Sequence, residues 1–208
     1  MSTLGALAGH RIVPVITIDD PGAAVDLADA LMAGGILCAE VVFRTPSALA
    51  AIRAMAGVPG FTVGAGTVIS MVDVAAAMDA GAGFVVSPGF DDEVVAAVLM
   101  AGTAMLPGVA TATEVQRAVR AGLDTVKFFP ADRLGGLDTI RALAAPFPRV
   151  GFVPSGGVTG ASAIDYLAHA SVPAVSGSWM APRDAIAARD WELISRVSAE
   201  TVAAIGSP

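Results

Sequence analysis

Eight apolar, β-branched runs recur along the 208-residue chain at nearly regular intervals. Between them lie Ala-rich segments with helical spacing, several of which begin at Asp, Thr or Pro and end at Ala-Gly or Gly-Gly. Strands that alternate with helices are typical of parallel β/α units. A repeat of about 20 to 25 residues predicts one α/β domain over residues 1–208, a (β/α)8 (TIM) barrel with a short N-terminal helix at residues 2–9. The runs cover residues 11–18, 37–44, 61–68, 82–89, 103–110, 124–131, 149–157 and 172–179.

Charge and hydropathy narrow the classes of function. The net charge of −7 argues against a nucleic-acid partner or a polybasic membrane contact. Hydrophobic residues make up 55% of the chain, and residues 94–113 lack charge over a length that could span a bilayer. Gly, Pro and Thr interrupt that stretch, however, and no Lys/Arg cluster flanks it. We therefore expect a soluble, cytoplasmic protein whose hydrophobicity comes from parallel strands buried on both faces.

Lys127, in the run TVKFFPADR, is the only lysine of the chain, and every other basic position is arginine. Strand side chains alternate between faces, so Lys127 points into the barrel if Val126 and Phe128 face the helices. Burial lowers lysine pKa values, and the resulting neutral amine can attack a ketone, which arginine cannot do. The pattern favours a nucleophile in the active site, at the carboxyl ends of the strands. A lysine that only pairs with a carboxylate is the alternative interpretation.

Glu40 and Arg44 share one face of the second run, CAEVVFRT. A glutamate within an apolar strand is costly unless it is paired or functional. Facing Lys127 across the barrel, Glu40 could move protons between substrate and water. A structural Glu40–Lys127 ion pair remains the alternative. Arg44, at the end of the strand, suits bidentate capture of a carboxylate, unless it is an ordinary surface arginine.

Small residues mark several of the remaining strand ends. In GAGT (64–67) the glycines allow a ligand to approach the backbone, and Thr67 presents a hydroxyl at the rim. PSGG (154–157) and SGS (176–178) follow the seventh and eighth strands, where such barrels frequently bind phosphate through backbone N–H groups. Ser155, Ser176 and Ser178 would add hydroxyls to that site. Simple tight turns are the alternative explanation.

The motifs EVVFRT, GAGTV, SPG, KFFPA, PSGG and GSW, in this order, resemble the class I aldolases for 2-keto-3-deoxy-6-phosphogluconate (KDPG) and 4-hydroxy-2-oxoglutarate (KHG). The resemblance covers nearly the whole chain and implies a (β/α)8 barrel that assembles as a homotrimer. It implies that Lys127 is the Schiff-base lysine and that Glu40 is the acid/base residue. It further implies two binding sets: Arg44, Thr67, Pro88 and Phe129 for the pyruvyl group, and Gly156, Gly157, Gly177 and Ser178 for the distal phosphate.

The implied reaction converts KDPG to pyruvate and glyceraldehyde 3-phosphate without a metal or other cofactor. Neither of the two histidines, His10 and His169, lies at a strand end beside carboxylates, so the sequence gives little support to a cluster of metal ligands. Ser155 stands where many family members have threonine, near the sugar hydroxyls, so the preferred sugar epimer stays open. Ser176 stands where glycine is commoner, which is a milder departure. KHG and the galactonate-derived epimer of KDPG are the alternative substrates. Two further alternatives are a metal-dependent or isomerase-type barrel enzyme and a non-catalytic phosphosugar-binding barrel.

Overall fold

The computed structural model describes residues 9–206, and its strands lie within the eight apolar runs. The short helix expected at residues 2–9 falls almost entirely outside the described residues. The strands are β1 (Ile12–Ile16), β2 (Cys38–Val42), β3 (Thr62–Gly66), β4 (Phe84–Val86), β5 (Ala104–Leu106), β6 (Gly108–Val109), β7 (Thr125–Phe128), β8 (Gly151–Pro154) and β9 (Val175–Gly177).

All strand pairs are parallel and form two sheets in the described part of the chain. The order is β5-β4-β3-β2-β1-β9 in the larger sheet and β6-β7-β8 in the smaller. The prediction of a single fifth strand at residues 103–110 is wrong in one respect. The strand is divided at Pro107 into β5 and β6. Proline has no N–H to donate to a sheet. The sheets curl towards each other, since β5 leads into β6 and β9 contacts β8, which gives an α/β fold with a curled parallel sheet.

Helices follow the strands and cover their outer faces. Side-chain caps begin several of them; Thr111, for example, forms a reciprocal capping box with Glu114. Within residues 9–206 the α-helices are α1 (Ala24–Ala33), α2 (Ala48–Ala56), α3 (Met71–Asp79), α4 (Asp92–Met100), α5 (Ala112–Arg120), α6 (Gly136–Ala144), α7 (Gly160–Leu167), α8 (Arg183–Ala187) and α9 (Trp191–Ile205), with short 3-10 turns at Pro21–Ala23 and Asp132–Leu134.

The strands are buried on both faces, as their apolar runs predicted. One large cluster packs strand residues such as Val126 and Phe128 against the helices. A second, smaller cluster fills the inner face of the curled sheets; it consists of Val13, Cys38, Phe84, Val86, Leu106, Val153 and Ala174. This double burial accounts for the high hydrophobic content without a lipid environment. No helix in the described part of the chain has the length and apolarity needed to cross a membrane.

Candidate active site

The site is built around a buried pair of opposite charges. Lys127 follows Val126 in β7 and precedes Phe128, and both of those neighbours pack outwards, so the amine points to the inner face. Its Nζ lies 3.2 Å from Oε1 of Glu40, with Lys127 only 6% exposed and Glu40 fully buried. The ring of Phe129 lies beside the amine, 5.3 Å from Nζ to the ring centroid. The two residues that the sequence indicated as reactive are thus in direct contact.

Glu40 uses only one of its two carboxylate oxygens. Oε2 is buried and has no hydrogen-bond partner among residues 9–206. An ion pair retained only for structure is expected to satisfy its remaining lone pairs, because a buried oxygen without a partner loses the free energy of hydration. The free oxygen therefore leaves Glu40 able to accept a proton or a hydrogen bond from a further group.

Glycines at two positions near this pair permit close approaches of neighbouring groups. A Cβ at Gly66 would lie 2.3 Å from Oε1 of Glu40, so a side chain there would occupy the place of the carboxylate. Gly108 is the register partner of Lys127, and a Cβ there would lie 2.1 Å from the carbonyl oxygen of Pro88. Sequence reasoning missed Gly108; its only signal was the LPG at the end of the fifth apolar run.

The residues expected to hold a carboxylate follow the ends of neighbouring strands. Arg44 lies exposed in the turn after β2, and within residues 9–206 its side chain forms no ion pair or hydrogen bond. Thr67, directly after β3, has a φ of 62°, a left-handed conformation that is strained for a β-branched residue. Pro88 and Phe129 are half-buried after β4 and β7. A free guanidinium at this edge is suited to bind an anion.

The PSGG loop after β8 depends on its two glycines and leaves their amides without an acceptor among the described residues. Gly156 and Gly157 have φ values of 88° and 80°, which favour glycine. Space also demands glycine, since a Cβ at Gly157 would lie 2.2 Å from Cβ of Asp132. The amides of both glycines donate no hydrogen bond to another described residue. Ser155, by contrast, is buried at the end of β8, with its N–H bonded to the carbonyl of Phe128.

The SGS motif is split between a strand and a loop. Ser178 lies exposed after β9, at the same edge as the PSGG loop. Gly177 is the last residue of β9, and a Cβ there would lie 2.1 Å from the ring of Trp179. Ser176 is buried within β9, and its hydroxyl has no partner among the described residues. The structure thus separates Ser176 from the loop residues with which the sequence grouped it.

Cys38 shares the inner face of β2 with Glu40, two residues before it. Burial raises the pKa of its thiol to about 12, so the group stays protonated at neutral pH and is a poor nucleophile. Among residues 9–206, no group of three or more His, Cys, Asp and Glu side chains is arranged to hold a metal ion. On the same inner face, Lys127 and Glu40 place an amine beside a carboxylate.

Comparison with known proteins gives consistent matches over almost the whole chain. The family model for KDPG and KHG aldolases matches residues 5–197. A 2-dehydro-3-deoxy-phosphogluconate aldolase of Treponema pallidum is 45% identical over 204 residues, which are 97% of this chain and 96% of that protein. The KHG/KDPG aldolase of Escherichia coli K12 is 41% identical over 192 residues, 92% of this chain and 90% of that protein.

A solved structure is also very similar. It is the KDPG aldolase of Legionella pneumophila, with pyruvate captured at low pH as a covalent carbinolamine intermediate. The two structures superpose with a TM-score of 0.93 at 35% identity, over 97% of this chain and 98% of the other. The curled parallel sheet therefore belongs to a TIM-barrel-like fold.

Proposed function

This chain belongs to the KDPG and KHG aldolase family, a group of carbon–carbon lyases, and on that premise we propose that it cleaves KDPG into pyruvate and glyceraldehyde 3-phosphate. The observation that carries the proposal is the buried contact between Nζ of Lys127 and Oε1 of Glu40. This contact places a nucleophile, the amine of Lys127, beside a proton carrier, the carboxylate of Glu40. Schiff-base cleavage of a keto acid requires both groups.

The reaction begins with addition of the neutral Lys127 amine to the C2 ketone of the substrate. The carbinolamine that forms takes up a proton on its hydroxyl and loses water, which leaves a protonated imine on Lys127. This cation attracts electrons from the neighbouring C3–C4 bond. Glu40 lies beside the amine and is the group that exchanges protons during these steps.

Cleavage follows when Glu40, through a water molecule, accepts the proton of the C4 hydroxyl. The C3–C4 bond breaks, its electron pair moves to the imine nitrogen, and glyceraldehyde 3-phosphate leaves as the aldehyde. The enamine left on Lys127 takes up a proton at C3. Addition of water to the resulting imine then releases pyruvate and regenerates the amine.

Binding of the two ends of the substrate is assigned to opposite parts of the same edge. Arg44 and Thr67 would hold the carboxylate, with Pro88 and Phe129 beside the three-carbon unit. The guanidinium of Arg44, which has no partner among residues 9–206, supports this assignment. Gly156, Gly157, Gly177 and Ser178 would bind the distal phosphate. The amides of the first two glycines support this assignment, because they donate to no other residue in the described part of the chain.

KHG is the second candidate substrate. It is supported by the similarity to a KHG/KDPG aldolase that is 41% identical. KHG has no phosphate, so the two substrates make different demands on the PSGG loop. The test is the release of pyruvate, followed by a coupled reductase, from KDPG, KHG and 2-keto-3-deoxy-6-phosphogalactonate at matched concentrations. We expect the highest kcat/KM with KDPG. A higher value for KHG or for the galactonate epimer would overturn the substrate assignment, and no pyruvate from any of them would overturn the cleavage itself.

We further propose that the two sheets together close a (β/α)8 barrel in a single domain and that three copies assemble into a homotrimer. Closure is supported by the hydrogen bond from Lys127 N to the carbonyl of Pro107, at the junction of the two sheets. Self-association is supported by the exposed apolar side chains of Ile69, Met71 and Val72, which are 63%, 48% and 78% exposed. Light scattering during size-exclusion chromatography tests the assembly, and a monomeric mass would refute it.

A further inference from the structure

The side chain of Ser176 points into the interior of the curled sheet. Its neighbour Gly177 faces outwards, because a Cβ there would meet Trp179, whose Nε1 donates a hydrogen bond to Thr201 of α9. Ala174, on the same face of the segment as Ser176, belongs to the inner cluster, whereas Val175 packs with the helices. Strand alternation therefore places the hydroxyl of Ser176 on the inner face.

Strand registers place Ser176 at the same height as Glu40. Ser176 pairs with Val13 of β1, and Val15, two positions further along β1, pairs with Glu40. In a barrel with a shear of eight over eight strands, residues at one height advance by about one position per strand. Glu40 is two strands away from Ser176 and two positions beyond its direct register partner. The two side chains thus belong to one interior layer.

The same count of strand registers, followed from Glu40 through β3, β4 and β5, reaches Lys127 in β7. The direct register partner of Glu40, followed across the larger sheet, is Ala104 in β5. Gly108 lies four positions later and pairs with Lys127 in β7, which is four strands on from β2 when β5 and β6 count as one. The count therefore places Lys127 in the layer of Glu40, and the 3.2 Å contact between the two side chains agrees with it.

Two of the buried oxygens without a partner thus belong to this one layer. They are Oε2 of Glu40 and Oγ of Ser176, and no described residue satisfies either. One is an acceptor and the other can donate. A water molecule between two such groups satisfies both, and buried waters typically bind two to four polar partners.

From this arrangement we propose that Ser176 is a positioning residue for Glu40. Its hydroxyl holds an internal water molecule that donates to Oε2 and so fixes the carboxylate in the orientation used for proton exchange beside Lys127. The inference rests on the proposed acid/base role of Glu40. It gives Ser176 a task inside the barrel, distinct from phosphate binding at the rim.

Three variants test the proposal. Ser176→Ala removes the hydroxyl and leaves a methyl side chain. Ser176→Gly removes the side chain, which leaves space for a second water molecule in place of the hydroxyl. The matched control is Ser198→Ala, because Ser198 is a fully buried serine in α9 whose hydroxyl also has no described partner. The control removes the same kind of group away from the layer.

The informative readout is the exchange of the pyruvate methyl protons with deuterated water, followed by NMR, since it reports proton transfer to and from the enamine. We expect Ser176→Ala to slow this exchange and kcat by about tenfold, the scale of one hydrogen bond to a charged group. KM should stay within about twofold, because no substrate contact is lost. Ser176→Gly should lie between Ser176→Ala and the wild type, and Ser198→Ala should match the wild type. The pH profile of kcat should move in Ser176→Ala and stay unchanged in Ser198→Ala.

Three results would overturn the proposal: wild-type exchange in Ser176→Ala, an equal loss in Ser198→Ala, or a lower kcat with unchanged exchange and pH profile. Borohydride trapping of pyruvate on each protein separates this failure from that of the proposed function. If the wild type traps pyruvate and Ser176→Ala exchanges protons and turns over at the wild-type rate, only the positioning role of Ser176 is refuted. A wild-type protein that neither traps nor exchanges pyruvate removes the aldolase mechanism, and the positioning role with it.

Discussion

The amine of Lys127 and the carboxylate of Glu40 lie 3.2 Å apart in the interior, although 87 positions separate them in the sequence. Taking both charges out of water costs several kcal/mol per ion, and apolar replacements of such pairs are often neutral or stabilising. Stability alone is therefore a weak reason to keep this pair. The proposed roles of the two groups, as nucleophile and as proton carrier, account for the pair more directly.

Lys127 should form a covalent adduct with pyruvate in the presence of borohydride, because hydride reduces the imine to a stable amine. The adduct is expected as a mass increment on the peptide that contains Lys127. Lys127→Arg is the control, since a guanidinium keeps the positive charge but cannot act as a nucleophile. Full activity with no increment on that peptide would rule out the imine mechanism.

Glu40→Gln should slow turnover by about two to four orders of magnitude, the usual contribution of a general acid or base. The amide keeps the shape of the side chain, so pyruvate binding should survive, measured by protection of the protein against thermal unfolding. Steady-state kinetics with the preferred substrate give the rate. Turnover within about twofold of the wild type would exclude Glu40 from proton transfer.

Gly66→Ala should lower kcat by about a hundredfold, the cost of misplacing a reactive group by about 1 Å. The added Cβ would lie 2.3 Å from Oε1 of Glu40 and must displace the carboxylate from Lys127. Gly57→Ala is the matched control, because the nearest atom to the added Cβ would be the carbonyl oxygen of Ala54, at 3.4 Å, which is an ordinary contact. Equal rates for the two variants would show that Glu40 can move without consequence.

Cys38 should not react with a disulfide reagent such as DTNB in the folded protein at pH 8. Burial raises the pKa of its thiol to about 12 and also excludes the reagent. Release of one thiol equivalent should appear only after denaturant unfolds the chain. Rapid reaction under native conditions would mean that the inner face around Cys38 opens readily.

Glu114 should stabilise the protein at neutral pH and lose this effect in acid. Partial burial raises the pKa of Glu114, but hydrogen bonds from Ala110 N and from the N–H and hydroxyl of Thr111, together with the positive charge of Arg117, lower it overall. A carboxylate with a lowered folded-state pKa stabilises fully above its unfolded value of about 4.3 and loses this contribution as pH falls through the folded value.

Glu114→Gln should therefore reduce the free energy of unfolding by about 1 kcal/mol at pH 7, the scale of a helix cap. The difference from the wild type should vanish in acid, once Glu114 is protonated in the folded state as well. Urea titrations at pH 7 and in acid measure it. Glu93→Gln provides the comparison, because Glu93 is exposed in the first turn of α4 and forms no such hydrogen bonds within residues 9–206. A pH-independent difference for Glu114→Gln would assign the effect to shape alone.

The apolar runs located every strand because parallel strands covered on both sides consist almost wholly of hydrophobic residues. The same reasoning oriented Lys127, since a charged residue between Val126 and Phe128 must face the opposite side from them. Local sequence did not reveal the division of the fifth run at Pro107. Proline was visible there, but its effect depends on which neighbouring strand pairs on each side of it.

The candidate site could be identified only in part because its contacts are tertiary. Arg44, Thr67 and Lys127 stood out as polar groups at strand ends. The importance of Gly66 depends on the position of Glu40, and that of Gly108 on the path of the chain at Pro88. Ser176 was grouped with the loop because SGS reads as a turn. In the structure β9 extends to Gly177, so the register of that strand directs Ser176 inwards.

The confinement of the single lysine to the interior also determines how the protein surface responds to acylating agents. Apart from the amino terminus of the chain, the exterior carries its positive charge on guanidinium groups, which acyl donors and reducing sugars modify far less readily than amines. The only side-chain amine open to lysine-directed labelling, acetylation or glycation is therefore that of Lys127, which is 6% exposed. On the proposed role of Lys127, each modification of that side chain would inactivate one molecule, so the extent of lysine modification would report how many active molecules remain.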